Sequence, residues 1–380
     1  MDKNKKQKIE LSEDEINYFN EVKEIEKIYV EFSNLTPLGF PKPKNLNSER
    51  KKFFRCFERG EVYNPQMRYS KTKHNVQAIE NLRDKVMSIN TSKDMYGIKK
   101  LYKKKLISRF LQVGYHHNWG NKLSSDFALK YWKKPDRLLI LKAKKFCRNY
   151  KREIVKFERV NAKFCGNELK KELKILTGDN VKINYVKLAS KVNIEPSQQM
   201  IEISKGEEFT TLDIKRLKAH EIGVHYMRYY NARKFGIKLF ETGTEGYLET
   251  EEGLAAYNEL NEGVLSNAQM FVYAGRVLAA HYCLKKSFYE IFKILKSYGF
   301  IDKVAFAICF RAKRNLCDTS EKGGFTKDYV YFKGFYKVCK FAKNNDINKL
   351  FVGKISIDNL KVLNKFVSIH YDEINSPFKK

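Results

Sequence analysis

Apolar residues recur at helical intervals along most of this chain. From Leu11 to Phe32, the residues Ile16, Phe19, Val22, Ile25 and Val30 stand among charges behind Ser12, a suitable N-cap, and predict an amphipathic helix. LTPLGFPKPK follows and holds Pro37, Pro41 and Pro43, which marks an extended connector and sets off a first segment, 1–36, made of a basic tail and that helix. From Asn45 to about Thr177 the pattern stays helical, with breaks at Pro65 and Pro135, and predicts a mainly helical N-terminal lobe over 37–177. The texture changes near Asp179. Val181 to Leu188 alternates like a strand, and Met200 to Ile203 is a second short β-like run. A long helix is then expected from an N-cap at Thr210 or Thr211 to a stop near Gly236. Helices are further expected over Thr250–Leu260, Ala268–Lys286, Phe288–Leu295 and Asp302–Arg314. Another runs from a Thr326 cap to about Ala342, and a last one covers Ile357–Val367. The expected fold is therefore a two-lobed, predominantly helical α+β protein whose second lobe, 178–380, places a small sheet beside the helix that ends at Gly236.

Composition adds a partner class. A hydrophobic share of 43% with 14% aromatic residues is that of a folded globular chain. Against 44 Asp and Glu stand 74 Lys and Arg, a net charge of +30 whose field favours an acidic partner: nucleic acid, an anionic membrane face or an acidic protein surface. The competing account is a lysine-rich solvated surface. Seven scattered cysteines without a CxxC pair indicate neither a disulfide framework nor a cysteine-based metal site, and suit a reducing compartment. The start MDKNKKQKIE lacks a signal-type apolar core, and no apolar run approaches the roughly 20 residues of a membrane helix, so no membrane insertion and a cytoplasmic location are expected.

One constellation carries chemistry. His220-Glu221-Ile222-Gly223-Val224-His225 is an H-E-x-x-x-H sequence on the helix that ends at Gly236. It is one residue longer than the H-E-x-x-H signature, in which two imidazoles one turn apart bind zinc and the intervening glutamate polarises a water. On a regular α-helix a five-residue step turns the second ring by about 140° from the first. A local π-type widening takes up the extra residue and reunites the rings, so a bulge spanning Glu221 to Val224 is predicted, with Gly223 inside it. The bland alternative makes the two histidines unrelated helix residues. A third ligand is needed, and Glu252 in TEEGLA, 27 positions beyond His225, can return from the next helix, although Glu251 and Glu252 could instead only complement a helix dipole. His116, His117 and His74 read as surface or packing residues.

Two strands ahead of a histidine-bearing helix match the outline of a zincin lobe, and the chain resembles the microtubule-associated tyrosine carboxypeptidase family, which shares a domain with bacterial Q-E-G-L-A proteins. HEIGVHYMRYYN (220–231), TEEGLA (250–255) and RAKRNLCDTSEKGGFTKDYVY (311–331) carry the similarity, with weaker echoes at YNPQMRY (63–69) and LFVGKIS (350–356). The bacterial Q-E-G-L-A reads E-E-G-L-A here, and ARKFGIKLF stands where family members commonly have a Gln-Pro pair. The resemblance implies a zinc carboxypeptidase that removes the C-terminal tyrosine of α-tubulin. His220, His225 and Glu252 would hold Zn2+ and Glu221 would be the general base. It also implies the α-tubulin tail or microtubules as partner.

Recognition of a free carboxylate calls for a paired guanidinium. Arg311 and Arg314, three apart near a helix end, are candidates, with Lys313 beside them and Lys327 and Lys333 downstream. Tyr331, within FTKDxVY, is a candidate oxyanion donor, whereas Tyr329 reads as packing. Two further readings stay open: a metallopeptidase acting on other acidic C-termini, and a basic nucleic-acid-binding protein with an inactive lobe. No nucleic-acid-binding signature supports the second.

Overall fold

The computed structural model describes residues 11–36, 39–70, 74–152, 157–188 and 191–379. The basic tail and Pro37 of the connector lie outside the described residues. The first helix, α1 (Glu13–Leu35), starts at Ser12, whose hydroxyl accepts the Glu15 N–H at 3.3 Å while the Glu15 carboxylate accepts the Ser12 N–H at 3.0 Å. Its buried stripe is Tyr18, Val22, Ile25, Tyr29 and Phe32. There follow α2 (Leu46–Glu58), α3 (Val76–Ser88), α4 (Ile98–His117), α5 (Lys122–Trp132) and α6 (Arg137–Asn149).

β1 (Arg159–Val160) and α7 (Ala162–Thr177) lead into the sheet region: β2 (Lys182–Val186), β3 (Val192–Glu195), β4 (Met200–Ser204) and β5 (Phe209–Thr210). β4 is the central strand of three, parallel to β2 and antiparallel to β3, with Ile201 opposite both Ile183 and Ile194; β1 and β5 form a separate antiparallel ribbon. β3 was not expected from the pattern, since VNIE is short and runs directly into Pro196. Ile201 and Ile203 are fully buried against Leu169 and Leu173 of α7 and against Ile222 and Tyr226, so the sheet backs the histidine-bearing segment.

That segment is one continuous rod: α8 (Thr211–Leu217), a π-helix (Lys218–Tyr226) and α9 (Met227–Phe235). Thr210 caps it, its hydroxyl accepting the Asp213 N–H at 3.0 Å, and Gly236 ends it with a left-handed φ of 62°. The chain continues through α10 (Lys238–Thr242), α11 (Tyr247–Asn261), α12 (Asn267–Tyr282), α13 (Phe288–Ser297), α14 (Asp302–Lys313), α15 (Val330–Ala342) and α16 (Asn364–Ile369). Two expectations are corrected here. Thr326 is not a cap: its hydroxyl donates to the Lys133 carbonyl at 2.6 Å, and Thr326–Tyr329 is a 3-10 turn leading into α15. Ile357–Val367 is not one helix, because the Asn359 side chain turns inward to accept from Thr244 Oγ1 at 2.8 Å and helix resumes at Asn364.

The fold is predominantly helical α+β. One apolar core joins α1, α3 and α4 to α10, α11 and α16; a second joins α6 to α12, α13, α14 and α15; the third lies under the sheet. α11 is held hard against α15: a Cβ added at Gly253 would sit 2.2 Å from the Gly334 carbonyl carbon, so only glycine permits this approach. No helix among the described residues is long and apolar enough to cross a membrane.

Candidate metal centre

The π-helix brings His220 and His225 onto one face, their ring centroids 4.8 Å apart. The widening is longer than the four residues expected, extending from Lys218 to Tyr226. It is anchored on both sides. Lys218 pairs with Glu168 of α7 at 2.8 Å, and the Tyr226 hydroxyl donates to Asp179 at 2.6 Å. Asn258 of α11 donates to the Ala219 carbonyl at 2.8 Å. Gly223 has a reason beyond the distorted turn, because a Cβ there would lie 2.7 Å from Asn258 Nδ2.

Glu252 faces the rings from α11. Its Oε2 lies 3.7 Å from His220 Nε2 and 3.9 Å from His225 Nε2, and the three candidate ligand atoms fall within 4.8 Å of one another. The far side of each ring is also engaged: His220 Nδ1 meets Glu259 at 2.6 Å and His225 Nδ1 meets Glu251 at 2.9 Å. A carboxylate only accepts, so each Nδ1 carries a proton, and an ion bound between the rings would take the lone pair of each Nε2. Two imidazole nitrogens and one carboxylate oxygen, with both rings oriented by further carboxylates, are the donor set of a divalent N/O metal such as zinc.

Without an ion, the acids around the rings favour a proton on His220. Burial opposes charge on His220, but the carboxylates of Glu252 and Glu259 and the charge of Glu221 hold its proton affinity well above the ordinary value. Burial would raise Glu252; His220 and His225 overcome this and keep its carboxyl below the ordinary value. Glu251 is pulled down to about 2, since the Arg228 guanidinium and His225 outweigh burial. Arg228 is itself fully buried. It pairs with Glu251 through Nη1 and donates to the carbonyls of Leu350 at 3.0 Å, Gly353 at 2.9 Å and Ile355 at 2.6 Å. The LFVGKIS segment thus holds Arg228, which holds Glu251, which holds His225. The Glu221 residue is half-buried, and its side chain makes no hydrogen bond among the described residues.

The candidate substrate residues divide. Arg311 and Arg314 converge on buried Asp328, Arg311 through Nε and Arg314 with Nη2 at 3.7 Å, and Arg314 stacks between Phe40 at 4.4 Å and Phe325 at 4.6 Å. Tyr331 stacks on Tyr273 at 5.1 Å, beneath the Arg276 guanidinium at 4.6 Å. Arg311, Tyr331 and Lys327 all lie near enough to Glu252 to feel its charge. Lys333 instead pairs with Glu249 at 2.7 Å. Lys313 belongs elsewhere: it is fully buried, and its ammonium donates to the carbonyls of Cys283 at 3.1 Å, Glu321 at 2.5 Å and Gly323 at 2.9 Å. It braces a loop, because two positions beyond Arg311 a helical side chain points to another side.

Sequence reasoning passed over Glu259, Arg228, Arg276 and Asp328. Glu259 was within reach, seven residues beyond Glu252 and so on the same helix face. His116 is fully buried and stacks on Trp119, a packing histidine, and burial first, then His74, pushes it down to about 4.

A histidine pair on a π-helix, closed by a glutamate from a neighbouring helix, defines a helical protein with a candidate metallohydrolase centre. The sequence model of the microtubule-associated tyrosine carboxypeptidase family matches residues 51–371, and this chain belongs to that family. Mouse microtubule-associated tyrosine carboxypeptidase 1 is 32% identical over 158 residues, 39% of this chain and 32% of the mouse protein. The human protein of the same name is 31% identical over 155 residues, 37% of this chain and 31% of its own length. The matched stretch therefore spans about a third of the length of these relatives.

Proposed function

We propose that this chain is a zinc carboxypeptidase that releases a C-terminal tyrosine from an acidic tail, with the α-tubulin tail as substrate and microtubules as the place where it meets it. The observation that carries the proposal is the convergence of His220, His225 and Glu252 within 4.8 Å, with a proton-bearing Nδ1 on each ring turned away to a carboxylate. Family membership and the relatives' names support the reaction and the substrate. When bound, zinc supplies Lewis-acid polarisation of a water and of the scissile carbonyl. Glu221 accepts the proton of the attacking water at a carboxylate oxygen and later returns it to the leaving amine. Arg311 and Arg314, their planes fixed by Asp328, hold the terminal carboxylate of the substrate. Tyr331, close enough to Glu252 to feel its charge, donates its hydroxyl to the developing oxyanion. The net charge of +30 draws an acidic tail to the cleft.

The test is release of tyrosine from peptides ending in Glu-Glu-Tyr, beside peptides ending in Glu-Glu-Phe and Glu-Glu-Glu. Release should be abolished by a chelator and restored by zinc, and Glu221→Gln should keep its zinc while losing about 10²–10⁴ in rate. Full turnover by Glu221→Gln would remove Glu221 from the base role, and turnover indifferent to chelation would remove the metal.

A further inference from the structure

One turn along α11 from Glu252 the helix starts beside a cavity of about 450 Å³, within the range of about 300–1,000 Å³ usual for small-ligand sites. α4, α5, α11, α15 and the Thr326–Tyr329 turn all contribute to its walls. Its lining holds six cations, Lys104, Lys105, Arg109, Lys133, Lys327 and Lys333, against three acids. All three acids are already paired. Glu245 meets Lys104 at 3.1 Å, Glu249 meets Lys333 at 2.7 Å and Lys337 at 3.0 Å, and Asp358 meets Lys337 at 2.6 Å.

Two of the shielded ammonium groups are left over, while Lys133 is exposed to solvent. Lys105 is 5% exposed, and among the described residues its ammonium makes no hydrogen bond or ion pair and lies 5.4 Å over the Tyr247 ring. Among the described residues the Lys327 ammonium likewise makes no hydrogen bond or ion pair, and it lies over Phe40 at 4.6 Å and Trp132 at 5.6 Å. A shielded ammonium without a carboxylate at hydrogen-bond distance is costly, and only longer-range attraction, from Glu245 at Lys105 and from Asp328 and Glu252 at Lys327, offsets that cost here. Burial pushes Lys105 down to about 7, with Arg109 adding to the effect, and pushes Lys327 down to about 8. The N-terminus of α11 lines the same cavity, and its N-cap Gly246 provides no side-chain acceptor. Its first-turn residues Tyr247, Leu248 and Glu249 line the same cavity, and the positive end of the helix dipole adds to the two cations.

We propose that this cavity is an oxyanion site, built by Lys105, Lys327 and the N-terminus of α11, that takes a carboxylate from the peptide chain upstream of the bond to be cut. The peptide as source rests on the carboxypeptidase reading; the oxyanion site does not. The cavity lies beside the candidate centre, since Glu249 in its wall precedes Glu252 by three residues on α11 and Lys327 feels the charge of Glu252. A glutamate side chain entering it would supply the acceptor that both lysines lack.

Calorimetric binding to the 380-residue chain in the presence of a chelator tests this without any turnover. The ligands are a peptide ending in Glu-Glu-Tyr, its Gln-Gln-Tyr counterpart and inorganic phosphate. The Glu peptide should bind about tenfold tighter than the Gln peptide, and Lys105→Met should erase most of that gap. Lys23→Met on the exposed face of α1 should not, which separates the pocket from the general basic field. Thermal unfolding checks that Lys105→Met is folded, and Lys327→Met carries the same test from a second wall. Loss of phosphate binding alone in both variants supports the oxyanion site with a free anion as its source. Changes below twofold for every ligand in both variants would overturn the proposal. Failure of the peptidase assay with these binding results intact would sink the function and leave the site standing.

Discussion

The body of α11 and its N-terminal end treat shielded charge in opposite ways. Toward the middle of the helix both candidate histidines are held by a second ionisable group, His220 by Glu259 and His225 by Glu251, and Glu251 is held in turn by Arg228 and its three carbonyl acceptors. At the N-terminus, Lys105 and Lys327 face a cavity with no acid left to meet them. The contrast separates two uses of charge. A network closed on itself fixes the direction of lone pairs, whereas an open one stores a desolvation cost that a ligand can relieve.

The largest effect expected from breaking this contrast is on stability. Arg228→Met leaves Glu251 ionised and buried without its partner, and should cost about 3–5 kcal/mol in denaturant unfolding. A cost below about 1 kcal/mol would mean that His225 and Lys354, 3.9 Å from Glu251, suffice to hold that carboxylate. Next in size, Glu259→Gln keeps a hydrogen-bond acceptor but loses the charge behind His220, and should weaken zinc affinity by about 10–100-fold in chelator competition. Unchanged affinity would show that the ring is held by packing alone. Smallest is the effect of Lys105→Met on stability. Removing an unpaired buried ammonium should leave the unfolding free energy within about 1 kcal/mol of the parent or raise it. A loss as large as that of Arg228→Met would reveal a partner for Lys105 and place the body of α11 and its N-terminal end in one class.

Much of the candidate centre was legible because its chemistry constrains spacing. Two imidazoles five residues apart can share an ion only if the helix widens, and the π-helix is there, longer than the minimum because Asn258, Lys218 and Tyr226 anchor it to three different elements. TEEGLA is now readable position by position: Glu251 orients His225, Glu252 faces both rings, Gly253 admits α15, and Leu254 and Ala255 enter the core. What stayed hidden depended on contacts distant in sequence. Lys313 shares a basic run with Arg311 and Arg314, but only the fold brings the carbonyls of residues 283, 321 and 323 around its ammonium. Thr326 looks like a cap until Lys133 arrives from α5's end to accept its proton. The surplus of Lys105 could not be read from a chain with 74 basic residues, since it becomes visible only when the acids of the same cavity are seen to be taken.

The central claim is that His220, His225 and Glu252 bind one ion together. Zinc titration of the chelator-stripped chain, followed by X-ray absorption of the loaded protein, tests it most directly. The account predicts one tightly held zinc per chain with two imidazole nitrogens and carboxylate and water oxygens around it, and no tight zinc in His225→Ala. A stoichiometry of zero, or tight zinc that persists in both His225→Ala and Glu252→Ala, would contradict it.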